Sequence, residues 1–393
     1  MNILAFSQSA DIIGGANRSF LDVLISLTNE YHHDCLVVVP GSGEFSKALE
    51  TNRISYITFP YEQTSYVELH DFFDFYRTLR TTLKVLKNWC NLRKFKKNIS
   101  ENKIDVIYIN DTTNTFGYLV AKSMGIPFVW HFRGYQAAIK RYLPFENSLR
   151  TNPKGLFVNI SNAMKDYMVN VRKLKDSSCI IIYNGVKNKC PIDKKENLRT
   201  NANADLHCLH CGHISEAKGV MDSLYAMVEL KRRGYSNIYL HYAGTSSIAH
   251  GKLYKNLLNK VIEENNLSNN IVFEGEVKDM LALRRNMDVE LMCSKAEPFG
   301  RTTIEGMQSG LAVIGANTGA TPEIIKDGST GLLYMQGNPI DLADKICLLY
   351  NTPTLIARLS NSGLIYTKDH FTMKANVDSI NRVLLDVVKN TKI

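Results

Sequence analysis

Glu297-Pro-Phe-Gly-Arg-Thr-Thr-Ile-Glu-Gly-Met-Gln-Ser-Gly310 sets two carboxylates, Glu297 and Glu305, on either side of a glycine turn. The mostly apolar run Val289 to Cys293 before it reads as a buried strand. Thr302 to Ser309 is helix-compatible, and Gly310 stands where such a helix would stop. The stretch is therefore a strand-to-helix turn. A helix N-terminus offers unpaired backbone N–H groups and partial positive charge, and Gly300 lets a phosphate approach the backbone with no Cβ in the way. Glu305 lies about one turn into the helix and suits a ribose; Glu297, ahead of it, suits the hydroxyls of a sugar. Carboxylates are strong acceptors for such groups, because charge-assisted hydrogen bonds are roughly twice as strong as neutral ones. From these residues alone, two solvated charges at a helix end explain the pattern equally well.

The flanking sequence repeats this unit. Leu206 to Cys211 reads as a strand, followed by the loop Gly212-His-Ile-Ser-Glu-Ala-Lys-Gly219 and a helix from about Val220 to Arg232. Strand-like runs at Ile238 to Ala243, Ile271 to Glu274 and Leu311 to Ala316 alternate with helical stretches, the pattern of a parallel sheet covered on both faces. In the N-terminal half, Met1 to Gln8 is followed by Ile13-Gly-Gly-Ala-Asn-Arg18 and an apolar helix. The paired glycines allow a tight turn but lack the G-x-G-x-x-G spacing of a dinucleotide site. Ile126 to Gly134 reads as a strand ending on His131, at the sheet edge where open α/β folds bind ligands; a histidine tucked under a loop is the plainer reading of the same residue.

A chain of 393 residues suits two domains. We expect an N-terminal domain over 1–186, a polar linker over 187–204, a C-terminal domain over 205–372 and a terminal helix over 373–393. No apolar run approaches the roughly twenty residues of a membrane span, and strand-like Ile3 to Ser7 follows no basic leader, so the expectation is a cytoplasmic protein. The eight cysteines are scattered through mostly apolar stretches, which suits reduced thiols. His207-Cys-Leu-His-Cys-Gly-His213 superficially resembles a metal site, but on a strand Cys208 and Cys211 point to opposite faces. No metal site and no cofactor are expected.

The net charge of +9 points to an anionic partner. Much of it lies in Asp71 to Lys103, where Arg77, Arg80, Lys84 and Lys87 recur at helical spacing. Leu79, Leu83, Leu86 and Trp89 lie close to a second face, and Arg93, Lys94, Lys96 and Lys97 follow. This basic amphipathic helix, Arg77 to Lys97, suits an anionic membrane surface; it suits equally a core-facing helix with a solvated basic side. No nucleic-acid module accompanies the charge, and no nucleic-acid partner is expected.

The motif E-P-F-G-x-x-x-x-E-x-x-x-x-G resembles the signature of retaining glycosyltransferases of family 4. Gly315 to Leu333 resembles the glycine-rich turn and short helix that follow the next strand in that family, and the likeness covers nearly the whole chain, weakest over Tyr61 to Lys103. The resemblance implies a GT-B fold, two Rossmann-like parallel-sheet domains facing a central cleft, with the terminal helix crossing back to the first domain. It implies transfer of a sugar from a nucleotide diphosphate to an acceptor hydroxyl with the anomeric configuration retained. Among donors a UDP-sugar stands ahead of a GDP-sugar. It implies donor binding by Gly15, His213, Lys218, Phe299, Gly300, Arg301, Thr302 and Glu305. His131 would orient the donor sugar or help hold the acceptor, and Glu297 would read sugar hydroxyls. The family usually carries Arg where this chain has His213, a poorer fixed counter-charge that Arg301 would offset. The absence of D-x-D from the sequence suits metal-independent chemistry. The acceptor expected is a saccharide, polyprenyl-linked, in bacterial surface polysaccharide assembly, with the protein peripheral on the inner face of the cell membrane. Two other readings remain open: an inactive scaffold or partner subunit, and a sugar-nucleotide epimerase of the same fold.

Overall fold

The computed structural model describes residues 1–12, 15–64, 72–135, 155–187, 204–246 and 251–391. Ile13, Gly14 and nearly all of the expected linker over 187–204 lie outside the described residues. The chain divides into two compact units, Met1–Gly185 with Met373–Ile393, and Val186–Thr372.

The first unit is built on a seven-stranded, all-parallel sheet in the order β3-β2-β1-β4-β5-β6-β7. Its strands are β1 (Asn2–Phe6), β2 (Asp34–Val39), β3 (Ser55–Thr58), β4 (Val106–Asn110), β5 (Phe128–Phe132), β6 (Gly155–Asn159) and β7 (Cys179–Ile181). Both faces of a parallel sheet are covered by crossover helices, so its strands read as apolar runs; β4 and β5 are buried at every position. One face packs Leu4, Phe6, Ile107, Ile109, Trp130, Phe132 and Phe157 against Phe95 and Phe116. The other packs Ile3, Ala5, Val37, Tyr108 and Val129 against two helices, Gly15–Asn29 and the terminal Met373–Thr391. Val377, Ile380 and Leu384 of that last helix are buried in this layer, and burying such side chains stabilises by about 1.5–3 kcal/mol each.

The second unit has six parallel strands in the order β10-β9-β8-β11-β12-β13. They are β8 (Leu206–Cys211), β9 (Ile238–Ala243), β10 (Ile271–Gly275), β11 (Val289–Met292), β12 (Ala312–Ala316) and β13 (Leu332–Tyr334). In each sheet the order reverses beside the first strand, and there ligands of open α/β sheets bind at the strands' carboxyl ends. Cys208 faces the larger core with Leu206 and Leu240, whereas Cys211 packs beside Leu209 on the other face. Among the described residues no group of three or more His, Cys, Asp or Glu is arranged to hold a metal ion. None of their helices is long and apolar enough to cross a membrane.

Long helix Phe72–Asn98 turns Thr81, Val85, Asn88, Phe95 and, just past its end, Ile99 inward. Leu79, Leu83, Leu86 and Trp89 face outward, each 50–59% exposed. The core stripe is therefore not the leucine stripe, and the leucines lie among the basic residues on the solvent side.

Candidate active site

The second unit's site forms at the carboxyl ends of neighbouring strands β8 and β11. After β11 the chain turns through Glu297 to Gly300, whose φ of +99° is a conformation that L side chains rarely adopt. Helix Arg301–Gln308 starts there, and Gly310, at φ +76°, follows its end. Gly300 carries no side chain to cap the helix, and the N–H groups of a first helical turn point toward the turn that precedes it.

Lys218 follows β8 at the end of a short turn, and its Nζ lies 2.8 Å from Glu297 Oε2. Glu297 is fixed from behind as well: its carbonyl accepts from Ala320 N at 2.9 Å. Gly319 packs against the Glu297 backbone so closely that a Cβ would come within 2.5 Å of its carbonyl oxygen. The sequence motif and the glycine-rich turn after β12 thus meet at the backbone of Glu297.

Glu305, about one turn along the helix, accepts from Arg301 Nε at 3.1 Å through Oε1 and from Arg284 Nη1 at 3.4 Å through Oε2. Arg284 itself forks onto Glu290, Nε to Oε2 at 2.8 Å and Nη2 to Oε1 at 3.0 Å, with both side chains almost wholly buried. Burial pushes the Glu290 carboxyl above its ordinary range, and the Arg284 charge acts against that. Sequence reasoning missed this pair. The signal was a glutamate inside the otherwise apolar strand Val-Glu-Leu-Met, since a charge on a doubly covered strand needs a buried partner.

The remaining expected donor residues of this unit divide. Phe299 is buried edge-on against Phe371, 5.9 Å between ring centres, so its ring packs into the core rather than facing a ligand. Thr302 is half-buried in the first helical turn. His213 is exposed, its Nδ1 3.4 Å from the Thr245 carbonyl oxygen.

In the first unit Gly15 opens helix Gly15–Asn29 and is exposed. His131 is the penultimate residue of β5 and is wholly buried: Nδ1 meets Tyr108 Oη at 2.8 Å and Arg133 Nη2 at 3.3 Å, while Nε2 is buried with no hydrogen-bond partner among the described residues. Burial, then the Arg133 charge, holds this imidazole well below its usual pKa. Arg133 also donates to Asn110 at 2.7 Å and Asn184 at 2.5 Å. Beside it, buried Asp111 at the end of β4 adopts φ +71° and takes hydrogen bonds from Gln8 at 2.7 Å and Thr113 at 2.9 Å. Burial raises its carboxyl pKa. Positive φ at a non-glycine residue often marks a functional position, but no sequence pattern had singled out Asp111.

Residues 193–364 match the family described as glycosyl transferases group 1, and residues 13–188 match glycosyltransferase family 4. The chain belongs to these glycosyltransferases. An uncharacterised glycosyltransferase of Methanocaldococcus jannaschii is 28% identical over 71% of this chain and 75% of its own length. The lipopolysaccharide core biosynthesis mannosyltransferase LpcC of Rhizobium leguminosarum bv. viciae is 26% identical over 45% of this chain and 50% of its own. Among solved structures, Anabaena HepE in complex with UDP superposes with a TM-score of 0.79 at 20% identity, over 98% of this glycosyltransferase and 100% of that chain. The fold is accordingly the two-domain GT-B arrangement, and the enzyme is a transferase.

Proposed function

We propose that this glycosyltransferase moves a sugar from a nucleoside diphosphate to a hydroxyl of a saccharide acceptor, with retention of anomeric configuration and without a metal ion. The juxtaposition of Lys218 and Glu297 beside the uncapped helix turn at Gly300 carries the reading. Lys218, Arg301 and the N–H groups at Gly300 to Thr302 meet the charge that grows on the leaving diphosphate. His213 adds a weaker donor there. Glu297 reads the sugar hydroxyls and Glu305 the ribose. His131, being buried, acts from within the first unit by holding Tyr108 and Arg133. UDP is the first donor nucleotide to try, since the HepE structures include complexes with UDP and with UDP-glucose.

LpcC acts in lipopolysaccharide core biosynthesis by name, which supports a role in bacterial surface polysaccharide assembly. Acceptors of that kind on polyprenyl carriers would place the enzyme on the inner membrane face. The outward apolar stripe Leu79, Leu83, Leu86 and Trp89 on a basic helix is the surface for that contact: exposed Arg80, Arg93, Lys94 and Lys97 complement anionic lipid, each worth about 1 kcal/mol near a charged bilayer.

Thermal shift against UDP-, GDP-, ADP- and dTDP-sugars, on the wild type and on Glu305→Ala, tests the donor site, because a ligand that binds the native state raises its apparent stability. One responding nucleotide, lost in the variant, is the expected result; silence across the panel counts against donor binding. Product NMR then reads the anomeric configuration directly.

A further inference from the structure

Glu290 and Arg284 form a bidentate ion pair, 2.8 and 3.0 Å, buried beneath the helix that carries Glu305. That helix is shaped around the pair. Gly306 sits inside it, where glycine costs about 1 kcal/mol relative to alanine, yet a Cβ there would lie 2.5 Å from Glu290 Oε2. Buried ion pairs are weak stabilisers: well-packed apolar residues of similar volume often serve the fold as well or better. Packing alone therefore gives no reason for two buried charges here. The third guanidinium nitrogen supplies one, since with Nε and Nη2 anchored on Glu290, Nη1 is left 3.4 Å from Glu305 Oε2.

We propose that Arg284 is a positioning residue of the donor site. Glu290 fixes the guanidinium, the guanidinium holds one oxygen of Glu305, and the other oxygen, which meets Arg301 here, is presented to the 2′- and 3′-hydroxyls of the donor ribose. The arrangement also places a positive charge between two carboxylates that would otherwise repel. The inference rests on Glu305 being the ribose-binding carboxylate.

The test measures calorimetric affinity of the full chain for UDP, GDP and ADP, and for the 2′,3′-dideoxy form of whichever binds. Hydrogen bonds to a charged acceptor predict that the wild type prefers the ribose form by about ten- to a hundredfold. Arg284→Met/Glu290→Leu removes the pair as a unit and leaves no unpaired charge. Arg284→Lys keeps the charge but lacks the fork, and it decides the matter should the double variant not fold. In either folded variant the preference should collapse to within about threefold. A folded variant with the full preference overturns the positioning role while leaving the donor site standing. A wild type that binds a nucleoside diphosphate but shows no ribose preference overturns both the inference and the Glu305 assignment. No binding at all by a folded wild type removes the donor-site reading and the inference with it.

Discussion

Lys218 Nζ lies 2.8 Å from Glu297 Oε2, so that the cation expected to meet a diphosphate is paired with the carboxylate expected to meet a sugar. The two side chains are 33% and 13% exposed, and ion pairs of this kind stabilise proteins by about 1 kcal/mol or less. Lys218→Met should leave the melting temperature within a few degrees of the wild type. Turnover should fall about a hundred- to a thousandfold, the usual effect of removing one donor to a developing oxyanion. Parallel melts and initial rates separate the outcomes; a large loss of stability with a proportionate loss of rate would make Lys218 a structural residue.

Gly319→Ala tests how Glu297 is placed. The residue has φ +55°, and its Cβ would press within 2.5 Å of Glu297 O and 2.8 Å of Glu297 N. Destabilisation of about 1–3 kcal/mol is expected from the backbone strain, together with a loss of activity larger than stability explains. Gly310→Ala is the control. Its φ is +76° and no atom of the described residues lies within 4 Å of the added methyl, so it should show the conformational penalty in urea denaturation and keep its rate at low temperature.

How much was legible in the sequence depended on whether a residue's partner was local. Strand, glycine turn and helix follow one another around Gly300, and each carries its own signal in period, φ requirement or stop residue; the two parallel sheets follow from the same alternation. Lys218 and Glu297 were each readable through a motif, but their contact spans two strands and was not. Arg284 and Glu290 are only six positions apart, yet helix Met280–Arg285 and strand β11 bring them together through a fold that no local pattern encodes. On Phe72–Asn98 either of two stripes fitted a helix. Val85, Phe95 and Ile99 took the core, and the leucines were left to solvent.

Two histidines should make stability depend on pH. Burial lowers the His210 pKa to about 4, and His131 is also held well below 6.5. An unfolded chain protonates both near pH 6.5 while the native state does not, so the stabilisation is complete above about pH 6.5 and is lost as the pH falls towards 4. His210 contributes a slope of about 1 kcal/mol per pH unit in that window, and His131 acts in the same direction. Asp111 and Glu290, whose carboxyls burial pushes up, act in the opposite direction where their titration overlaps it. The informative comparison is therefore wild type against His210→Asn in urea at pH 7 and pH 5. The variant should start less stable, because His210 Nδ1 meets Ser223 Oγ at 2.9 Å, and should lose less between the two values. Equal losses would mean that His210 titrates normally.

The outward stripe of Phe72–Asn98 makes a prediction that stability measurements cannot mimic. Leu83, Leu86 and Trp89 are 59%, 56% and 53% exposed, so replacing all three by serine removes little buried surface and should leave the melting temperature nearly unchanged. Lys87 is already paired with Glu62 at 2.6 Å; among the described side chains, which do not include Arg77, exposed Arg80, Arg93, Lys94 and Lys97 are charges available to lipid. The wild type should sediment with phosphatidylglycerol vesicles at low salt, release as the Debye length contracts from about 10 Å at 0.1 M salt to about 3 Å at 1 M, and ignore phosphatidylcholine vesicles. Arg93→Glu/Lys97→Glu should abolish the attraction. The serine variant should weaken binding at any salt concentration, because inserted apolar area contributes alongside charge. If the charge-reversed protein fails to bind and the serine variant binds as the wild type does, the surface is an electrostatic platform whose leucines never enter the bilayer. If the wild type itself stays in the supernatant at low salt, the acceptor reaches this enzyme without a membrane contact through the helix.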